Sequence, residues 1–443
     1  MKNICDYMII QRDADGFGRA GYEGTYQPVE NTKVIVRVMR EDDNFMAVPW
    51  QECETEENHW KTELVIPEGG LYRVEVRLAY EHHYKNNTRD WAPLLACAYH
   101  IGVGDVFILA GQSNMSGYGR DPAYDPPQLG VHLYNNSGNW VLAAHPMFSV
   151  PEAESIYSNN DDCSSTSPGL SFGKLMQKNL NVPIGLVAAA RGGSSLEWWN
   201  PAEEDHYLYD ALEAKIKEVG KFAGMLWYQG CNETVEQKEA ETYLEKFRQA
   251  VSLWREAFGH FPIVTCQINR HAWKGEDRER RWGLVREAQR QAALQIPDVY
   301  VIPTMDMPSC DGIHNTSGAC VTVGERLANV MLKEHYGRQG FSAPSIKRIK
   351  KLDSRTIQLE FTQPHTLRTM DEIATGLNIE DENGMMKCTK ISACGEVAKV
   401  TAERDIVGNA VFHAYWEREV PAFFIRDAYG MPMLACYNVK IED

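Results

Sequence analysis

Three stretches of the chain differ in the spacing of their apolar residues, and each spacing predicts a different kind of structure. From residue 1 to about 103 the spacing is two. Lys33-Val-Ile-Val-Arg-Val-Met39 and Tyr72-Arg-Val-Glu-Val-Arg-Leu78 alternate polar and apolar positions, and Pro67-Glu-Gly-Gly70 interrupts before the second run. This predicts a β-sandwich-like domain over 1–103. From 104 to about 337, short apolar runs alternate with helical segments. The runs are Asp105-Val-Phe-Ile-Leu-Ala110, Leu186-Val-Ala-Ala-Ala190, Met225-Leu-Trp-Tyr228, Phe261-Pro-Ile-Val-Thr-Cys266 and Val299-Tyr-Val-Ile302. The helical segments include Leu170–Met176, Tyr243–Val251 and Leu284–Ala292. Strands that alternate with helices predict an α/β domain with a five-stranded, mainly parallel sheet covered on both faces, whose ligands sit beyond the carboxyl ends of the strands. After Gly337-Arg-Gln-Gly340 the spacing of two resumes in Thr356–Phe361 and Ala410–Trp416, which predicts a second β-domain over 341–443. No internal repeat or low-complexity tract interrupts this plan.

Composition narrows the function. The 443 residues are 44% hydrophobic, enough for a large core and for two or three domains. A net charge of −16 argues against nucleic acid as a partner, since such binders carry a basic patch or stripe. No run approaches the roughly 18 apolar residues of a membrane span, so a membrane is not an expected partner either. The eleven cysteines are odd in number, scattered and never spaced C-x-x-C. That pattern fits buried thiols in a reducing compartment better than a disulfide framework or a zinc site, and no metal or organic cofactor is expected.

The candidate chemistry lies where the predicted strands end. Gly111-Gln-Ser-Asn-Met115 delivers Ser113 as the first strand turns into the next element. The second strand runs into Arg191-Gly-Gly-Ser194, the third ends on Gln229 beside Gly230, and Asp311-Gly-Ile-His314 follows the fifth. A lone serine after a strand caps a helix more often than it attacks a substrate, and a lone D-x-x-H more often solvates a loop. Together on one rim they supply what acyl transfer needs: a nucleophile, a base, a group to orient the base, and donors for an oxyanion. Met115 in the fifth position of the run excludes the G-x-S-x-G elbow of the α/β-hydrolases.

These four segments resemble the four sequence blocks of the SGNH hydrolases. They are similar in particular to the sialate O-acetylesterase and acetylxylan esterase branch, with its GQSNM, GGxxxExW, WYQGE and DxxH patterns. The likeness covers about residues 104 to 337, and Ile313-His314 followed by Val323-Gly-Glu-Arg-Leu-Ala328 resembles the closing block. It implies a flavodoxin-like three-layer α/β/α domain, here flanked by two β-sandwich-like domains. Ser113 would be the nucleophile, His314 the general base and Asp311 its orienter. The backbone N–H groups of Ser113 and Gly192 and the amide of Gln229 would form the oxyanion hole, and Gln112, Gly193, Glu197 and Trp199 would bind substrate. The implied function is removal of O-acetyl groups from a carbohydrate, sialic acid or a related sugar, through an acetyl-serine intermediate. Acetylxylan or another hemicellulose is the alternative substrate, and carbohydrate binding on a retired hydrolase scaffold the alternative role. Met1-Lys-Asn-Ile-Cys-Asp6 lacks the apolar region of a signal peptide, so a cytoplasmic location is expected, or a secreted or periplasmic one where a leader has been removed.

Two departures stand out. Asn315 occupies the place where the family usually has proline, which alters loop stiffness but not the chemistry. Where relatives read W-Y-Q-G-E, this chain reads Trp227-Tyr-Gln-Gly-Cys231, followed by Asn232 and Glu233. Either the carboxylate is lost from the site or it is displaced by two positions.

Overall fold

The computed structural model describes residues 3–148, 165–272, 278–364, 366–368, 374–420 and 425–443. At its centre lies a sheet in the order Trp140–Leu142, Val131–Tyr134, Ile184–Ala188, Leu94–Gly111, Gly224–Tyr228, Ile263–Cys266, Val299–Ile302. All neighbours in it are parallel except the edge strand Trp140–Leu142. The five predicted strands are present. The two edge strands, Val131–Tyr134 and Trp140–Leu142, were not anticipated: they are short, and His132 interrupts the apolar run of the first.

Period-two geometry explains why the central strand is apolar throughout. Phe107 and Leu109 pack on one side with Phe172, Leu186, Val323 and Leu327. Val106, Ile108 and Ala110 pack on the other with Trp227, Phe247, Trp254 and Val285. Phe172, Val323 and Leu327 belong to helices Gly169–Leu180 and Ser317–Glu334, and Phe247, Trp254 and Val285 to helices Gln237–Phe258 and Glu279–Gln295, while Leu186 and Trp227 lie on the two neighbouring strands. A strand buried on both faces has no polar side to offer. Each such side chain contributes about 1.5–3 kcal/mol by leaving water, so the carboxyl ends of these strands form a stiff rim.

The strand carrying this rim is 18 residues long, Leu94–Gly111. Its first half pairs antiparallel with Gly69–Tyr80 and its second half pairs parallel with strands of the central sheet. The residue 103/104 junction expected between domains therefore falls inside one strand. The N-terminal region adds a three-stranded sheet, Phe17–Thr25, His59–Pro67 and Glu54–Glu56, whose Tyr22, Leu64 and Ile66 share one apolar cluster with Val36, Val76 and Ile108. The alternation in Lys33–Met39 predicts one exposed face, but Val34 to Met39 are all buried. The Arg37 guanidinium pairs with Glu75 at 3.0 Å and lies over Trp50, which covers the outer face.

The C-terminal region is a seven-stranded antiparallel sheet with its own core of Ile349, Leu359, Val400 and Phe412. It meets the α/β region through buried polar contacts. Arg286 donates to the carbonyls of Tyr415 (2.9 Å) and Glu417 (2.6 Å), and Gln267 exchanges two hydrogen bonds with Ala435. Of the free cysteines among the described residues, Cys231, Cys266, Cys320, Cys388 and Cys436 are buried, whereas Cys310 is exposed; Cys163 lies outside the described residues. Among the described residues no helix is long and apolar enough to cross a membrane.

Candidate active site

The serine is set in place by backbone geometry at the end of the central strand. Gly111 turns the chain at φ +124°, and a Cβ there would come within 2.3 Å of the Tyr228 carbonyl oxygen, so only glycine fits. Gln112 then donates its N–H to that same carbonyl at 2.8 Å. Its side-chain oxygen accepts from the N–H groups of Gly230 (2.7 Å) and Cys231 (3.0 Å), which ties two strand ends together. Ser113 follows as the first residue of the single helical turn Ser113–Ser116.

Across from it, His314 Nε2 lies 2.9 Å from Ser113 Oγ, and His314 Nδ1 lies 2.7 Å from Asp311 Oδ2. The other Asp311 oxygen accepts from the N–H groups of His314 (2.9 Å) and Ile313 (3.2 Å). Partial burial alone would raise the Asp311 carboxyl, but the bonds from His314 and the two backbone groups hold it below the usual carboxylate value. An ionised carboxylate on Nδ1 favours the tautomer with its proton on that nitrogen, which leaves Nε2 free to accept from serine. Residues 201 apart in the chain are thus brought into one relay.

Several residues that sequence reasoning missed hold the histidine loop. Asn114 accepts from Asn315 N–H at 2.9 Å and donates to the Ile313 carbonyl at 3.3 Å. Asn269 donates to Asn315 Oδ1 at 2.5 Å, and Ala272 N–H donates to the Gly312 carbonyl at 2.7 Å. The Tyr118 ring stacks on His314 with centroids 4.3 Å apart. Asn315 thus does more than change loop stiffness: its N–H and its amide are both used, and a proline there would supply neither. Asn114 had a signal, since it sits inside the serine motif; Tyr118 and Asn269 had none.

The loop after the Ile184–Ala188 strand is tied to the turn in front of Ser113. Arg191 N–H donates to the Gly111 carbonyl at 2.9 Å, and Ser194 Oγ donates to the same oxygen at 3.3 Å. Gly193 is exposed at φ +66°, while Gly192 beside it has no positive φ. Gln229 is fully buried and differs from expectation. Its amide donates to the Ser194 carbonyl (3.1 Å) and to Glu233 (2.5 Å), and its oxygen accepts from the Tyr243 hydroxyl (3.2 Å). Both amide hydrogens are committed inside the protein, so this arrangement leaves none for a bound oxyanion.

The other expected substrate contacts divide in the same way. Gln112 is buried, with its oxygen committed to backbone, whereas Glu197 is exposed and accepts from Ser195 Oγ at 3.2 Å. Trp199 is fully buried, edge-on to Trp227 at 5.4 Å, and its indole N–H donates to Ser194 Oγ. It packs the core and has no face to offer a sugar. The half-buried neighbour Trp198, 5.3 Å from the exposed Tyr207 ring, is more accessible. Farther along, Arg286 is fully buried at the C-terminal junction, His271 is buried against Trp282, and Arg270 donates to the Met307 carbonyl.

The displaced carboxylate is found. Glu233 is buried, and its two oxygens accept from Leu196 N–H and from the Gln229 amide, both at 2.5 Å. Burial pushes its carboxyl up to about 7 against the pull of these bonds. Cys231, at the place of the family's glutamate, is a buried thiol raised by burial to about 12, which keeps it protonated and unreactive.

Residues 103–333, more than half of the chain, match the family model described as carbohydrate esterase, sialic acid-specific acetylesterase. A probable carbohydrate esterase of Arabidopsis thaliana is 26% identical over 257 residues, covering 52% of this chain and 92% of that protein. Among solved structures, a carbohydrate acetylesterase from Xanthomonas citri aligns over 97% of both chains with a TM-score of 0.69 at 21% identity. That likeness extends the shared fold to the flanking β regions.

Proposed function

Because the chain belongs to the carbohydrate esterases of the sialic acid-specific acetylesterase family, we propose that it removes O-acetyl groups from an acidic sugar, sialic acid or a close relative, by way of an acetyl-serine intermediate. The observation that carries this reading is the unbroken relay Ser113 Oγ, His314, Asp311, with contacts of 2.9 and 2.7 Å. His314 Nε2 takes the serine proton as Oγ attacks the acetyl carbonyl. The resulting imidazolium, stabilised by the Asp311 carboxylate, returns that proton to the departing sugar oxygen. Water, deprotonated by the same nitrogen, then attacks the acetyl-enzyme; acetate leaves and the proton returns to Ser113. The backbone N–H groups of Ser113 and Gly192 are the proposed oxyanion donors, one on the helical turn after Gly111 and one in the loop that Arg191 and Ser194 tie to the Gly111 carbonyl. A ready relay favours catalysis over a binding-only role.

The preference for an acidic sugar rests on charge. In a chain of net charge −16, two arginines flank the relay without a carboxylate partner among the described residues. Arg120 lies over Tyr118, which itself stacks on His314, and Arg191 lies over Tyr207 in the loop that carries Gly192. A substrate carboxylate would gain from both, and neutral xylan would not. Acetate release from O-acetylated sialic acids and from acetylated xylo-oligosaccharides, measured side by side, tests the choice. Faster turnover of the sialic acids, weakened by added salt, is expected. A preference for the neutral oligosaccharides would reverse the substrate assignment while leaving the esterase reading intact.

A further inference from the structure

We propose that Glu233 is a positioning residue for catalysis, setting the Gly192–Ser194 turn at its working distance from Ser113; this rests on the acetylesterase reading above. The segment from Arg191 to Ser195 has no helix or strand of its own, so its place must come from bonds to neighbours. One end is tied to the central strand by Arg191 N–H and Ser194 Oγ on the Gly111 carbonyl. The other end is tied by Glu233, directly through Leu196 N–H and indirectly through Gln229, whose amide bridges Glu233 and the Ser194 carbonyl. One carboxylate and one carboxamide, 3% and 0% exposed, thus hold the turn at Ser194 and Leu196.

The chemistry of the pair makes simple space-filling a poor account of it. Among the described residues Glu233 has no basic partner, and a buried carboxylate without a cation is costly compared with an apolar side chain of equal volume. What a carboxylate offers here is two acceptors on one rigid fork, matched to two donors from different segments. A neutral amide has only one acceptor and turns its NH2 against the second donor. Gln229 acts within the same brace, which accounts for its amide hydrogens lying away from the reacting centre.

The test is steady-state kinetics on p-nitrophenyl acetate with the full chain, together with thermal unfolding. Glu233→Gln is expected to lower kcat about 10- to 100-fold with KM within about two-fold, somewhat less than the loss of a direct oxyanion donor. Glu233→Asp, which keeps both acceptors on a shorter arm, is expected to recover at least about five-fold of that loss. A folded Glu233→Gln protein with wild-type kcat, or one with raised KM alone, overturns the proposal, and so do equal losses in the Gln and Asp variants. If Glu233→Gln does not fold, Glu233→Asp against wild type decides: a lower kcat at constant KM supports the proposal and an unchanged kcat overturns it. Ser113→Ala run in parallel separates the two claims. Turnover that survives in it defeats the acetyl-serine mechanism, whereas an inactive Ser113→Ala beside wild-type Glu233 variants defeats only the positioning role.

Discussion

The serine half and the histidine half of the site are built by different kinds of structure. Ser113 stands at the end of a strand buried on both faces, and backbone bonds from Gln112 and Arg191 fix the turn in front of it. His314 stands on a loop, and most of what holds it is side-chain chemistry: Asp311 within the loop, Asn114 from the serine side, and Asn269 from the end of a neighbouring strand. Asn269 is supported in turn from the C-terminal β region, because Arg286 donates to the carbonyls of Ile268, Asn269, Tyr415 and Glu417. The parallel half of the central strand has its own anchor away from Ser113, Asp105, which accepts from Arg12 and Tyr336. Ser113 is therefore held mainly by the backbone next to it, while His314 depends on side chains from separate segments.

The largest effect expected is the one in which the two halves do not differ. Ser113→Ala and His314→Ala should each lower esterase kcat by roughly 10³ or more in a folded protein, since each removes a member of one relay. Near-wild-type turnover by either variant would remove the relay from the mechanism. Asp311→Asn comes next, with a loss of at least about 10², because an amide on Nδ1 no longer favours the tautomer that serine needs. Its acid-base titration of kcat/KM, compared with wild type, is the informative readout.

The difference between the halves is probed by Asn114→Ala, which leaves the serine backbone in place and cuts both bonds to the histidine loop. A loss of about 10- to 100-fold in kcat with little change in melting temperature is expected, in line with the cost of a small misplacement of a catalytic group. An unchanged kcat would mean that the loop holds itself. The smallest effects on turnover should come from a matched remote pair, Arg286→Met and Asp105→Asn. Both should lower stability, by about 1.5–3 kcal/mol for each charge-assisted anchor lost, as read by denaturant unfolding. Only Arg286→Met should also lower kcat, by a few fold, because only its contacts lead to the histidine loop. Equal kinetic effects in the two would dissolve the distinction.

Much of this was legible along the chain because it depends on near neighbours in sequence. Apolar runs such as Val106–Ala110 declare strands, Gly111 to Met115 marks where the first of them turns into the next element, and Asp311 reaches His314 across three residues. Trp199 and Gln229 show where such reading stops. An aromatic after a glycine turn, or an amide at a strand end, has the same local sequence whether it faces substrate or core. Which way it faces depends on Trp227, Ser194 and Glu233, and those partners are chosen by packing.

The amino-acid sequence by itself marked the α/β centre, the period-two stretches on either side of it and the Ser113 and Asp311–His314 motifs, because period, turn chemistry and residue type are properties of short segments. Tertiary structure alone decided that the expected domain junction lies inside a continuous strand and that Asn114 and Asn269 carry the histidine loop. It also decided that Glu233, two positions away from the family's glutamate, has its carboxylate on Gln229 and Leu196. Each of these depends on groups from separate segments meeting at hydrogen-bond distance, and that distance is set only when the buried faces of the sheet and its helices close on one another.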